Sequence, residues 1–299
     1  MLAEMYQIPV ATTYNGRGII PEDNPINLGL VGIRATPRAK YAIDESDCVI
    51  ALGSIASERT FPVLDEDKFI HVNINKDVLK GKYQIQGNVE EVIMTLEFNK
   101  VDWIDELLKI DNSMIIEGIG DDLKPQAAIK IILKTFEDNI IVADAGSHTT
   151  WTTLLYNAKK PNHFLFPAAT APMGYGLPAG IGAAIATDEK IIVINGDGDF
   201  QMNLQELATL KENSLDVIVF ILNNSEYGII RQWQEDFYDM DAYQIDLENP
   251  DFTKLTASYG IDAVQINTLS DLEYFLKKDL KGPLIVEVMV DRENIPLPN

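Results

Sequence analysis

A chain of 299 residues exceeds the usual size of one domain, so two domains are expected. Its 24 basic against 46 acidic residues leave a net charge of −22, which excludes a broad nucleic-acid or anionic-membrane surface but not a local anion site made of backbone N–H groups. A single cysteine, Cys48, excludes an intrachain disulfide and a cysteine zinc cluster. No apolar run nears the ~20 residues of a membrane span, and MLAEMYQIPV lacks a signal-peptide pattern, so a soluble cytoplasmic protein is expected.

From Leu2 to about Asn88, short apolar runs alternate with turn-rich stretches. Val49–Leu52 ends in Gly53 and 69–72 ends in Asn73, a pattern of parallel strands in an α/β layer. His71 falls inside such a run and reads as structural. Trp103, Ile104, Leu107 and Leu108 carry helical spacing, and the turn-prone Glu117-Gly118-Ile119-Gly120-Asp121 follows. Residues 99–124 therefore read as a linker between one domain over 1–98 and another over 125–299. Pro125 suits a first helical turn, after which Ala128, Ile131, Ile132 and Phe136 recur on one face. Strands are expected at Ile140–Ala143, 191–195, 217–222 and 284–290, with helices over 204–211 and 269–278. Such alternation implies a parallel sheet covered on both faces, whose ligands bind beyond the carboxyl ends of the strands. Polar and glycine-rich residues gather at that edge: Asp144-Ala145-Gly146-Ser147-His148, Gly196-Asp197-Gly198-Asp199 and Asn223-Asn224-Ser225-Glu226.

Gly196-Asp197-Gly198 follows one strand and Asn223-Asn224 the next, with 24 residues between Gly198 and Asn223. In a βαβ unit neighbouring strand ends emerge side by side, so Asp197 and Asn224 can converge. A carboxylate, an amide oxygen and nearby carbonyls make an all-oxygen set suited to Mg²⁺. Gly196 and Gly198 allow a tight turn, and a helix expected to begin near Phe200 would aim N–H groups at an anion. Gly-Asp-Gly alone after a strand is mostly a surface turn, with function in about one case in five, and Asn-Asn alone is mostly turn chemistry. Their joint occurrence one crossover apart makes the signal specific.

The pairing resembles the cofactor-anchoring motif of thiamine diphosphate enzymes. The stretch GDGDFQMNLQELATLKENSLDVIVFILNNSEYGIIRQWQEDFY is similar to the large catalytic subunits of acetolactate (acetohydroxyacid) synthases. Ala171-Pro172-Met173-Gly174-Tyr175-Gly176-Leu177-Pro178-Ala179 resembles their segment beneath the thiazolium ring, and IPVATTYNGRGIIPEDNPINLGLVGIRAT with IALGSIASER resembles their central domain. The fold implied is α/β: a doubly wound parallel-sheet thiamine diphosphate-binding domain preceded by a partial α/β central domain.

By position, the resemblance makes Asp197 and Asn224 side-chain ligands of Mg²⁺, with the Glu226 carbonyl as a third. Gly196, Gly198 and Asp199 fall within the cofactor-binding motif. Ser147 and His148 stand where the family has a Gln-His pair near the diphosphate, the serine with a shorter reach. Met173 would hold the cofactor bent, the Ala171 carbonyl would accept a hydrogen bond from the aminopyrimidine, and Trp233 would line the second-substrate pocket. Without the flanking match, Met173 reads as core filler and Trp233 as core by about two to one. The implied activity decarboxylates pyruvate and condenses the enamine with a second 2-keto acid, toward branched-chain amino acids. Alternatives are another 2-keto acid decarboxylase or oxidase component, or a catalytically silent cofactor-binding or assembly module.

The family's first domain, with the glutamate that hydrogen-bonds the aminopyrimidine, has no counterpart in the sequence. The resemblance thus implies a homo- or hetero-oligomer in which a partner chain supplies it, with room for a regulatory subunit, or else a fragment. Residues 1–98 are expected to be incomplete alone, because a doubly wound sheet lacking an inner strand leaves edges open. Arg59 closes a 53–59 stretch that matches the family's FAD-binding region. Val72-Asn73-Ile74-Asn75 lacks that region's acidic groups, so the resemblance leaves FAD open.

Overall fold

The computed structural model describes residues 2–113 and 123–296, which form two compact units. The first contains strands β1 (Val10–Thr12), β2 (Asn27–Leu30), β3 (Val49–Leu52), β4 (Phe69–Asn73) and β5 (Tyr83–Gln86), and helices α1 (Leu2–Tyr6), α2 (Pro37–Glu45), α3 (Val89–Ile93) and α4 (Ile104–Leu107). The strands form two parallel sheets, β1-β2 and β3-β4-β5. β3 and β4 were legible from their apolar runs. β5 was not, because Tyr83, Gln84 and Gln86 are exposed and break such a run.

Pro37 opens α2, and Ala39 and Ala42 bury its inner face against Leu28, Val31 and Leu107. Leu107 belongs to α4, so this helix within the 99–124 stretch packs in the first unit. The turn-prone 117–121 lies outside the described residues. His71 is buried; its Nδ1 accepts the Lys80 N–H at 3.0 Å, so Nε2–H donates to the Ser54 carbonyl at 2.8 Å. That is a structural role.

The second unit contains β6 (Ile140–Ala143), β7 (Phe164–Leu165), β8 (Ile191–Gly196), β9 (Val217–Asn223), β10 (Asp262–Ile266) and β11 (Leu284–Met289). Its helices are α5 (Pro125–Thr135), α6 (Ser147–Leu155), α7 (Gly176–Thr187), α8 (Asp197–Phe200), α9 (Leu207–Glu212), α10 (Gly228–Asp236), α11 (Phe252–Ser258) and α12 (Leu269–Leu276). All six strands run parallel in the order β10-β11-β9-β8-β6-β7.

Side chains alternate across a strand, and here both sets are apolar. Ile141, Ile192, Ile194, Phe220 and Val286 pack with Ile132 of α5, Trp151 of α6 and Leu272 of α12. Val142, Val193, Val219 and Ile285 pack on the other face with Leu177 and Ile181 of α7, Leu207 of α9 and Phe252 of α11. Each fully buried Ile or Val contributes about 1.5–3 kcal/mol, so neither face tolerates exposure. This is a doubly wound sheet. β10 escaped notice because Asp262 and Gln265 face solvent on an edge strand.

From β6 the chain moves outward to β7, then returns to β8 on the opposite side of β6 and proceeds to β9. Strand order reverses between β6 and β8, so their carboxyl ends flank a crevice at the position where open α/β sheets bind ligands. Among the described residues, no helix is long and apolar enough to cross a membrane.

Candidate functional site

The end of β8 turns directly into α8. The helix begins at Asp197 rather than near Phe200, because the Asp199 carboxylate accepts the Gly196 N–H at 2.9 and 3.1 Å and folds the chain back at the strand end. At Gly198 a Cβ would stand 2.7 Å from Cε1 of Tyr227, so glycine is needed for the next loop to approach. The buried Asp197 carboxylate accepts the Asn249 amide at 2.6 Å. Burial pushes its pKa up, and this bond opposes the rise. The same Asn249 amide donates to Asn223 Oδ1 at 2.9 Å, which joins the two predicted loops.

At the end of β9, Asn223 donates to Glu287 at 2.7 Å, and the Asn224 Oδ1 accepts the Glu226 N–H at 3.2 Å. Residues 225–227 pair antiparallel with 245–247: Tyr227 N–H bonds the Ile245 carbonyl and Leu247 N–H the Ser225 carbonyl. In that register the N–H and C=O of Glu226 project from the opposite side of the segment, toward Asn224. The Glu226 carboxylate is wholly buried between Arg231 at 3.0 Å and Arg292 at 3.4 Å. With the side chain held by two guanidinium groups, the carbonyl is the oxygen this residue can offer a cation.

The end of β6 leads through Gly146 into α6, which Ser147 opens. Ser147 Oγ is buried without a hydrogen-bond partner. A Cβ at Gly228 would lie 3.3 Å from Ser147 Oγ and 3.2 Å from both Asn224 Nδ2 and Glu226 Oε1. Ser147, Asn224 and Glu226 thus meet around a glycine. His148 is buried, and burial lowers its pKa to about 3, leaving the ring neutral at pH 7. Its Nε2 stands 3.5 Å from Asp199 Oδ2, longer than a hydrogen bond, so burial decides and the two form no ion pair.

Asp144 forms the opposite wall. Its buried carboxylate accepts N–H groups of Ala145 at 2.7 Å, Gly174 at 2.9 Å and Gly176 at 2.5 Å, and the Asn195 amide at 2.9 Å. The same Asn195 nitrogen makes a short bond to Asp199. Burial, reinforced by the charge of Asp144, raises the Asp199 pKa well above the usual carboxylate range. Asp144 thereby fixes the segment that carries Met173, which is 37% exposed. Upstream, Ala171 sits at φ 47°, a left-handed conformation that costs a non-glycine residue about 1–2 kcal/mol. Trp233, on α10, is also 37% exposed, which excludes the core reading. The acidic 235–241 run is exposed to solvent.

The sequence placed Asp144 at the ligand edge without a role, and Asn195, Asn249, Arg231 and Arg292 were missed as parts of this site. An aspartate directly after an all-apolar strand was a usable signal for Asp144; nothing local marked the others. Among the described residues, no group of three or more His, Cys, Asp or Glu side chains gathers to hold a metal. The candidate donor set is mixed: one carboxylate, one amide and one carbonyl. In the first unit Arg59 is exposed, and the Asn73 and Asn75 amides bond backbone groups of Ser54 and Asp77.

Residues 144–288 match the thiamine pyrophosphate enzyme C-terminal TPP binding domain, and residues 1–96 the thiamine pyrophosphate enzyme central domain. The chain belongs to the thiamine pyrophosphate enzymes, of which it carries these two domains. Within that family it is similar to acetolactate synthase large subunits. It is 33% identical to a probable one from Methanocaldococcus jannaschii, over 99% of this chain and 55% of that protein. It is 33% identical to one from Cyanidium caldarium, over 97% and 54%, and 30% identical to the isozyme 1 large subunit of Escherichia coli, over 98% and 56%. The chain spans about half the length of the curated relatives it matches.

Proposed function

We propose that the chain is the diphosphate-binding portion of a thiamine diphosphate- and Mg²⁺-dependent enzyme of acetolactate synthase type, using pyruvate and a second 2-keto acid in branched-chain amino acid synthesis in the cytoplasm. The observation that carries this reading is the meeting of Ser147, Asn224 and Glu226 around Gly228, with Asp197 tied to the neighbouring Asn223 through Asn249, at three adjacent strand ends. We divide the chain into a central domain (1–98), a connecting stretch (99–124) whose helix α4 packs with the central domain, and the diphosphate-binding domain (125–299).

Asp197, the Asn224 side-chain oxygen and the Glu226 carbonyl would hold Mg²⁺, whose hard-oxygen preference matches that set. Ser147 and the N-terminus of α6 would hold the diphosphate. The partnerless Ser147 hydroxyl, beside Asn224 and Glu226 around Gly228, suits such a group. When bound, thiamine diphosphate supplies the carbon nucleophile that 2-keto acid chemistry needs. The protein's own residues orient and exclude. Asp144 fixes the turn bearing Met173, Ala171 offers a carbonyl from a strained conformation, and neutral His148 adds no charge beside the diphosphate site. The half-exposed Trp233 indole would flank the second substrate. A pyrimidine-binding domain, from a partner chain or another segment, would close the site.

Calorimetric titration of thiamine diphosphate tests the reading. Binding is expected to require Mg²⁺ and to vanish in Asp197→Ala; unchanged affinity in that variant refutes the metal site. With the pyrimidine-binding domain present, the product from pyruvate should be acetolactate rather than acetaldehyde or acetate.

A further inference from the structure

A third segment, 245–251, reaches the two motif loops from 26 residues beyond Asn223 and 52 beyond Asp197. At its centre is Asn249, all of whose amide groups are used. Nδ2 donates to Asp197 Oδ2 at 2.6 Å and to Asn223 Oδ1 at 2.9 Å, while Oδ1 accepts Gln201 Nε2 at 2.9 Å. Gln201 Nε2 also bonds the Asp197 carbonyl at 3.0 Å. Turning the amide over would set its oxygen against the Asp197 carboxylate and the Asn223 carbonyl oxygen, so only one orientation satisfies the neighbours.

The bracing extends in both directions. Asn223 donates to Glu287 at 2.7 Å, whose other oxygen takes Gln265 Nε2 at 3.0 Å from edge strand β10. On the other side, Pro250 leads into Asp251, which caps α11 by accepting the Lys254 N–H at 3.0 Å. Asn249 is therefore held by a capped helix and backed by a hydrogen-bonded row that crosses three strands. A charge-assisted bond of 2.6 Å fixes the plane of the Asp197 carboxylate, and the bond to Asn223 fixes the residue beside Asn224.

We propose that Asn249 is a positioning residue for the divalent cation: one amide aligns the carboxylate of Asp197 and the Asn223–Asn224 turn so that both face one point. This rests on the reading of Asp197 as a metal ligand. It assigns a role to a residue outside both motif loops, and it separates metal placement from diphosphate contact.

The test is calorimetric titration of thiamine diphosphate across a Mg²⁺ series, with apo-protein thermal unfolding measured beside it. Asn249→Ala should raise the Mg²⁺ concentration for half-maximal binding about tenfold or more, the size expected for one lost charge-assisted bond. At saturating Mg²⁺ the thiamine diphosphate affinity should return to within about threefold of wild type, which a general loosening of the loop would not allow. An unchanged Mg²⁺ requirement, or an affinity loss that Mg²⁺ does not rescue, overturns the proposal. Asp197→Ala in the same series separates the two claims. If it binds normally, the underlying metal reading fails; if it loses binding while Asn249→Ala behaves as wild type, only the positioning role fails. Should Asn249→Ala not fold, Gln201→Leu keeps Asn249 but frees its carbonyl. A shift of about threefold in the same direction is then expected, and no shift overturns the proposal.

Discussion

Asp144 and Gly176 lie 32 residues apart in the chain, yet the carboxylate of one accepts the N–H of the other at 2.5 Å. The same carboxylate holds the Gly174 N–H, so the two peptide groups flanking Met173 and Tyr175 hang from a single side chain. Asp144→Ala would leave buried donors unpaired and should cost about 3 kcal/mol, read from urea unfolding. Wild-type stability in this variant contradicts the role assigned to Asp144.

Gly228 opens α10, where alanine is a better helix former than glycine. A methyl group there would nonetheless crowd the space among Ser147 Oγ, Asn224 Nδ2 and Glu226 Oε1, each 3.2–3.3 Å from it. Gly228→Ala is expected to leave the melting temperature of the apo protein within a few degrees of wild type, while weakening Mg²⁺-dependent thiamine diphosphate binding about tenfold. A variant that binds normally would show that this space is not used.

His148 sets a pH dependence whose sign can be worked out. Burial lowers its folded-state pKa from 6.5 to about 3. The associated stability is complete above pH 6.5 and is lost as pH falls toward 3, at up to about 1.4 kcal/mol per pH unit. The buried Asp144 and Asp199, with raised pKa values, contribute in the opposite sense, becoming less stabilising as pH rises through their folded values. His148→Gln should therefore flatten the acid limb of the stability curve between pH 6 and about 4, as denaturant titrations at stepped pH would reveal.

The Glu226–Arg231 pair is buried on the acidic side and nearly so on the basic side. Arg231→Leu would leave a buried carboxylate with only the more distant Arg292 and should destabilise by about 3 kcal/mol. Removing both charges in Glu226→Leu/Arg231→Leu should recover a large part of that loss in a double-mutant cycle. A purely additive cycle would mean that the ion pair is not what holds the turn.

Much of the second unit could be read locally. Continuous runs such as 191–195 and 217–222 have no polar face to give water, which dictates central parallel strands, and polar residues just beyond them dictate a ligand edge. Asp197 and the Asn224 turn followed from one crossover between neighbouring strands. Edge strand β10 did not, because a half-solvated strand mixes polar and apolar residues. The early start of α8 was hidden because Asp199, three residues on, is what folds Gly196 back.

By itself, then, the sequence determined a two-faced parallel sheet and the two loops that carry the motif, since burial periodicity and turn chemistry act over a few residues. The tertiary structure alone decided which groups brace those loops: Asn249 against Asp197, Arg231 and Arg292 around Glu226, and Asn195 between Asp144 and Asp199. The braces that join distant segments, Asn249 to Asp197, Asn195 to Asp144 and Arg292 to Glu226, depend on where two strand ends emerge and leave no trace in the composition around either partner.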